Sequence, residues 1–160
     1  MPNLRLIAIN ERGKPAEPIS DLPDIASEIG AAQVNLYANE GYQPPWTGYF
    51  AVADGRCVGC CSYKSPPRQG RVEIAYFTFP PFEGQRIATT MAEQLVKMAA
   101  DEDPTLLVTA QTLPEENPST AILTRLGFEL IGPVEHPEDG TVWQWELEPR
   151  TPADRERKTS

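Results

Sequence analysis

The sequence predicts an α/β (α+β) domain: a mixed, mostly antiparallel sheet of about six or seven strands with helices on both faces. Three observations carry this. Short strand-like runs flank Asp54-Gly55, the strongest hairpin signal in the chain. Directly after Pro80-Pro81 the apolar period changes from that of a strand to that of a helix. The resulting order of elements, β-α-β-β-β-α-β-α-β-β, contains no internal repeat and no interior linker.

Taken in order, residues 4–9 alternate loosely and read as a first strand. Asp21 precedes a helical pattern with Ile25, Ile29, Ala32 and Leu36 on one face, and Gly41 stops it. After a proline-containing bend at residues 42–46, residues 48–64 form the hairpin. A loop at 65–70 leads into a strand at 71–79, and the long helix that follows shares Ile87, Met91, Leu95 and Met98 on one face. Residues 105–112 form a further strand after the turn at Asp103-Pro104. Asn117 stands where an N-cap belongs, with Pro118 at the first helical position, and this short helix ends near Gly127. Residues 128–132 and 142–147 close the sheet through a loop containing Asp139-Gly140. One domain therefore spans 1–150, and the polar, aperiodic residues 151–160 read as a disordered tail.

The composition narrows the functional classes. With 40% hydrophobic residues in 160, the chain is long and apolar enough to bury a core. Its net charge of −9 argues against nucleic acid and anionic membrane, both of which need basic surfaces. No apolar run approaches the roughly 20 residues of a bilayer span, and the N-terminus lacks a secretory pattern. The expected location is the cytoplasm. Cys57, Cys60 and Cys61 are odd in number and crowded, which suits free thiols in a reducing compartment. They lack the four-ligand spacing of a zinc site, and His136 is the only histidine, so no metal is expected. Strand alternation puts Cys57 and Cys61 on one face and Cys60 on the other.

The segment 72–90 is the most informative. A strand ends at a proline pair, and a glycine-containing turn opens an amphipathic helix. The first N–H groups of such a helix lack intrahelical partners and lie at the positive end of its dipole, which suits a pyrophosphate. Here the sequence resembles the GNAT superfamily of N-acetyltransferases. That family carries Gln/Arg-x-x-Gly-x-Gly/Ala at this helix start, matched by Glu83-Gly84-Gln85-Arg86-Ile87-Ala88. A second match is the helix Asn117-Pro118-Ser119-Thr120-Ala121-Ile122-Leu123-Thr124-Arg125-Leu126 ending in Gly127-Phe128. Thr112-Leu113-Pro114-Glu115 before it resembles the branch of the ribosomal-protein N-terminal acetyltransferases.

The resemblance implies a GNAT-like fold and acetyl-CoA as co-substrate, without a metal. It also implies transfer of an acetyl group, by direct attack, to a primary amine of a small molecule or a protein N-terminus. The backbone at Phe77, Thr78 and Phe79 would pair with the pantetheine arm. Glu83, Gly84, Gln85, Arg86, Ile87, Ala88 and Thr89 would surround the pyrophosphate, with Asn117 nearby. Two positions depart from the family pattern: Glu83 replaces Gln or Arg, and Arg86 replaces the central glycine. The Arg86 side chain would obstruct the phosphates, pair with one, or simply be solvated.

Glu73 matches a position where relatives place a glutamate base; the bland alternative is an exposed strand glutamate or one paired with Arg71. Many relatives carry a tyrosine four residues before the glycine of Gly-Phe, where this chain has Leu123. Ser119 matches a serine proposed as the hydroxyl donor in one branch, and helix capping is its alternative. In Pro45-Trp46-Thr47-Gly48-Tyr49, Trp46 and Tyr49 either line an acceptor pocket, by cation–π contact with an amine, or plug the core. Trp143 and Trp145 read as core. The competing function is a GNAT-fold CoA-binding or ligand-binding module with weakened catalysis. Neither reading involves nucleic acid or membrane, and both leave a homodimer open.

Overall fold

Asp54 and Gly55 both adopt positive φ, 52° and 76°. Two-residue hairpin loops need that geometry to follow strand twist. It folds β2 (Gly48–Ala53) antiparallel onto β3 (Arg56–Tyr63). This computed structural model describes residues 3–149, so the expected tail at 151–160 lies outside the described residues. β1 (Leu4–Ala8) pairs with β2, and β4 (Arg71–Thr78) pairs with β3, both antiparallel. β4 then runs parallel to β5 (Leu107–Thr112). β7 (Gly140–Leu147) pairs antiparallel with β5 and, on its other side, with β6 (Glu129–His136). One seven-stranded sheet results, in the order β1-β2-β3-β4-β5-β7-β6. The closing pair is longer than the sequence predicts, because β6 continues through Pro133. An edge strand tolerates a proline, whose missing N–H would have no partner there anyway.

α1 (Ile25–Glu40) covers one face of the sheet; α2 (Ile87–Glu102) and α3 (Pro118–Arg125) cover the other. The larger core lies beneath α2 and α3, where Tyr63, Val72, Ile74, Met91, Leu95 and Leu123 are buried together. The smaller core lies beneath α1 and contains Ile9, Ala26, Phe50, Cys57 and Phe79. In α2 the expected face holds, with Met98 half-buried and Ala99 taking the deepest position of that turn. Trp145 is buried and its indole N–H donates to Thr112 Oγ1 over 3.0 Å, while Trp143 packs against the same core.

Two sequence expectations are corrected. The inner face of α1 is set by Ala26, Gly30 and Tyr37; Ala32 is exposed, and Ile25 and Ile29 are only partly covered. The helix is rotated because its contacts are not made by the bulkiest apolar residues. Gly13 packs so closely that a Cβ on Gly30 would lie 2.2 Å from the Gly13 carbonyl oxygen. The buried Tyr37 hydroxyl donates to Ile9 O at 2.7 Å and accepts from Gly48 N at 3.0 Å, tying α1 to two strands. Asp24, not Asp21, precedes the first turn, and its side chain makes no cap.

The cysteines are the second correction. Ala51 pairs with Gly59 but Val52 pairs with Cys57, so Val58 is an extra residue in β3. A bulge reverses the alternation beyond it. Cys57 and Cys60 accordingly join the α1 side, and Cys61 joins the α2 side. All three are free thiols.

The α1 contacts are directly testable. Gly30→Ala is expected to lower the unfolding free energy by about 1–3 kcal/mol, the usual range for overpacking. Tyr37→Phe is expected to cost about 1–3 kcal/mol by leaving a buried carbonyl and N–H unpaired. Urea titration followed by circular dichroism measures both.

Candidate active site

β4 and β5 pair at only three positions: Arg71 with Leu107, Val72 with Val108, and Glu73 with Thr109. Beyond them each strand continues with its other neighbour, β4 with β3 as far as Thr78 and β5 with β7 as far as Thr112. The sheet therefore splits down its middle from Ile74 onward. Successive backbone groups of a strand point to alternate sides. Lys64 N–H donates to Glu73 O and Phe79 N–H to Val58 O, each over 2.9 Å, so the odd-numbered residues of β4 are turned toward β3. The Ile74 carbonyl and the N–H and C=O groups of Tyr76 and Thr78 consequently face the split. Of the expected trio, Thr78 alone offers its backbone there; the backbones of Phe77 and Phe79 face β3. The Thr78 Oγ1 is buried with no hydrogen-bond partner among the described residues.

The split ends where α2 begins. Pro80–Phe82 form a single 3-10 turn, followed by Gly84 at φ 78° and Arg86 at φ 64°. Left-handed residues at alternate positions turn neighbouring N–H groups to one side, the geometry of an anion-binding nest. The first helical bond of α2 near this end is Thr90 N–H to Arg86 O, so the N–H groups of Ile87, Ala88 and Thr89 have no partner inside the helix. Arg86 thus adopts a left-handed backbone conformation of the kind that favours glycine. Its side chain is exposed and forms no ion pair among the described residues. Glu83, Gly84 and Gln85 are exposed beside it.

Side chains beside the split alternate between the two faces of β4. Glu73 and Phe77 project on the α1 side, beyond the part of the sheet that α1 covers. Phe77 is 46% exposed and stacks edge-on against Phe79. Burial pushes the Glu73 carboxyl above its ordinary 4.5, against the downward pull of Lys64 and His136. Arg71 does not neutralise it, since Arg71 is ion-paired with Glu146. Tyr76 projects on the α2–α3 side, where Ser119 Oγ in the first turn of α3 donates to its hydroxyl over 3.1 Å. Ser119 is therefore not a cap. That role belongs to Asn117, whose Oδ1 accepts from Thr120 N–H while Thr120 Oγ1 accepts from Asn117 N–H, each over 3.0 Å.

Tyr76 was not singled out by the sequence. Alternation from Glu73 would have assigned it to the opposite face, but nothing local shows that the sheet is split beside it. For Trp46 and Tyr49 the structure favours the core alternative: Tyr49 is buried in the larger core and the partly buried Trp46 packs against it. Trp46 packs edge-to-face on Tyr63 with ring centres 4.9 Å apart, and the buried Tyr49 donates its hydroxyl to the Pro45 carbonyl. A groove of about 640 Å³ on the α1 side instead passes Asp21, Ile25, Arg56, Phe79 and Phe82. A second groove, of about 410 Å³, lies at the far end of α2 among Val96, Ala99, Leu106 and Leu147, away from Glu73 and Ser119.

A split sheet thus opens beside the nest-headed start of α2. The family model of the acetyltransferase (GNAT) domain matches residues 18–129. The chain belongs to the GNAT family. No curated protein matches its sequence significantly. Its fold resembles the ribosomal L7/L12 alpha-N-protein acetyltransferase RimL, with a TM-score of 0.68 at 17% identity over 92% of this chain and 94% of that one. It also resembles the Microcin C7 self immunity acetyltransferase MccE, solved with acetyl-CoA and AMP (TM-score 0.62, 16% identity, 79% of this chain and 72% of that one). Against a GNAT-family acetyltransferase from Bacillus anthracis the TM-score is 0.55 at 16% identity, over 63% of this chain and 65% of that one. At these identities the likeness is one of fold.

Glu73 links this GNAT site to stability. A folded-state pKa raised above the unfolded value means that the native state holds the proton more tightly. The stabilisation is complete below pH 4.5 and is lost as pH rises through the raised native value. Glu73→Gln, which cannot ionise, is expected to melt at higher temperature than the wild type near pH 7, with the gain disappearing below about pH 4.5. Thermal unfolding across that pH range checks this.

Proposed function

We propose that this GNAT protein transfers an acetyl group from acetyl-CoA to a primary amine, on a small molecule or a protein N-terminus, by direct attack. The observation that carries this reading is the split between β4 and β5, with a high-pKa carboxylate at one mouth and a hydroxyl pair at the other. Acetyl-CoA would supply an activated acyl group on a thiol leaving group. The Ile74, Tyr76 and Thr78 backbone groups would align the pantetheine amides, and the orphan Thr78 hydroxyl gives a further polar partner. Ile87, Ala88 and Thr89 N–H groups would face the pyrophosphate, and the Arg86 guanidinium, in no ion pair among the described residues, adds a local positive charge against a chain of net −9.

Glu73 serves as the base that receives the amine proton. Its raised pKa brings it nearer the operating pH, where a base is both ionised and basic enough to act. The acceptor would approach on the α1 side, where the exposed Phe77 ring and the Glu73 carboxylate lie on one face and suit a cationic amine. Three free thiols fit a cytoplasmic setting.

Leu123, fully buried where many relatives carry a tyrosine, favours a second reading: a CoA-binding module of weakened activity. Calorimetry and turnover separate the two. The wild type is expected to bind acetyl-CoA and to release thiol with a panel of amines. Glu73→Gln is expected to bind it equally and to lose about 10²-fold or more in kcat. Binding without thiol release would establish the module instead, and unchanged turnover in Glu73→Gln would remove Glu73 from the mechanism.

A further inference from the structure

We infer that the Tyr76 phenol, supplied from β4, is the proton donor to the leaving sulfur, and that Ser119 is its positioning residue. This rests on the transferase reading above. Leu123 has no donor and is buried in the core, so α3 cannot supply a phenol. Tyr76, on β4, instead meets α3 one turn earlier, at Ser119. Its backbone lies on the unpaired edge of β4, and its half-buried hydroxyl lies 3.1 Å from Ser119 Oγ, across the opening on the α2–α3 side. The Ser119 hydroxyl can serve as donor in that bond, and the phenolic proton is then free to be given elsewhere.

The chemistry favours the phenol over the serine. A phenol titrates near 10 and a thiol near 8.5, whereas an alcohol is a far weaker acid, so the phenol is the better match for a departing thiolate. Burial raises the Tyr76 pKa further, so the proton is retained throughout the neutral range. The step balances. The acceptor ammonium first loses one proton to solvent; the neutral amine nitrogen then bonds to the acyl carbon and passes a second proton to Glu73, which returns it to solvent. The carbon–sulfur bond breaks, and its electron pair goes to sulfur. Tyr76 Oη gives its proton to that sulfur, and the phenolate is held by the Ser119 hydrogen bond until solvent reprotonates it.

The test compares Tyr76→Phe, Ser119→Ala and fluorotyrosine at position 76, all in the full chain. Tyr76→Phe is expected to lower kcat about 10²-fold while KM for acetyl-CoA changes by less than about threefold. Ser119→Ala is expected to lose less. Fluorotyrosine, of lower pKa but unchanged shape, should carry the basic limb of the pH–rate profile downward, which a merely structural hydroxyl would not do. A larger loss in Ser119→Ala than in Tyr76→Phe, or an unmoved limb, would overturn the assignment.

A second readout needs no turnover. Bound CoA thiol, titrated by its ultraviolet thiolate absorbance, should ionise at lower pH in the wild type than in Tyr76→Phe, because the phenol donates to the thiolate. Equal titrations refute the proposal. If the titrations differ but no amine is acetylated, the phenol contact stands and the transferase reading fails. If the wild type does not bind CoA, both fail.

Discussion

Pairing between β4 and β5 lasts three residues, and the organisation of the site follows from where it stops. These two strands are parallel, so a crossover must join them, and α2 is that crossover. Its N-terminus is thereby delivered to the C-terminal end of β4, where the strands part. The split exposes one backbone edge, Ile74 to Thr78, in the middle of a sheet whose other junctions are paired over longer stretches. Unpaired buried polar groups cost about 1–3 kcal/mol each. The Thr78 hydroxyl is such a group, buried and without a partner among the described residues.

Electrostatics at the split oppose the character of the whole molecule. The chain is strongly acidic, yet the proposed cofactor is a polyanion. The resolution is local. Helix N–H groups and a nest act over short range, where the global field of dispersed surface carboxylates is screened. Arg86 adds to this without altering the backbone, because a left-handed residue other than glycine costs about 1–2 kcal/mol but keeps the turn. Glu73 shows the opposite arrangement, a carboxylate held where ionisation is disfavoured. That destabilises the fold at neutral pH, and it is the property on which the proposed role of Glu73 as a base rests.

The errors of the sequence reading share a cause. Hydrophobic periodicity reports how a segment would bury its own apolar side chains, not which contacts the rest of the chain presents. α1 turned to seat Gly30 against Gly13 and Tyr37 between Ile9 and Gly48, contacts between residues distant in sequence. Val58, one extra residue in β3, reversed the faces of the cysteines. Trp46 and Tyr49 suited an acceptor pocket by type, but their surroundings are core.

By itself the sequence determined the strands and helices, the hairpin at Asp54-Gly55, the capped start of α3 and the family motif that opens α2. Each rests on local chemistry: φ preference, capping, proline placement and periodicity act within a few residues. It also marked Glu73, Ser119 and Arg86 as positions of interest. Only the tertiary structure decided that β4 and β5 part after Glu73, that Arg86 keeps a glycine-like turn, and that Tyr76 meets Ser119 across the opening. Those outcomes depend on register and on α2 and α3 packing against one face of the sheet. No local pattern encodes them, because each joins residues brought together only when the sheet is assembled.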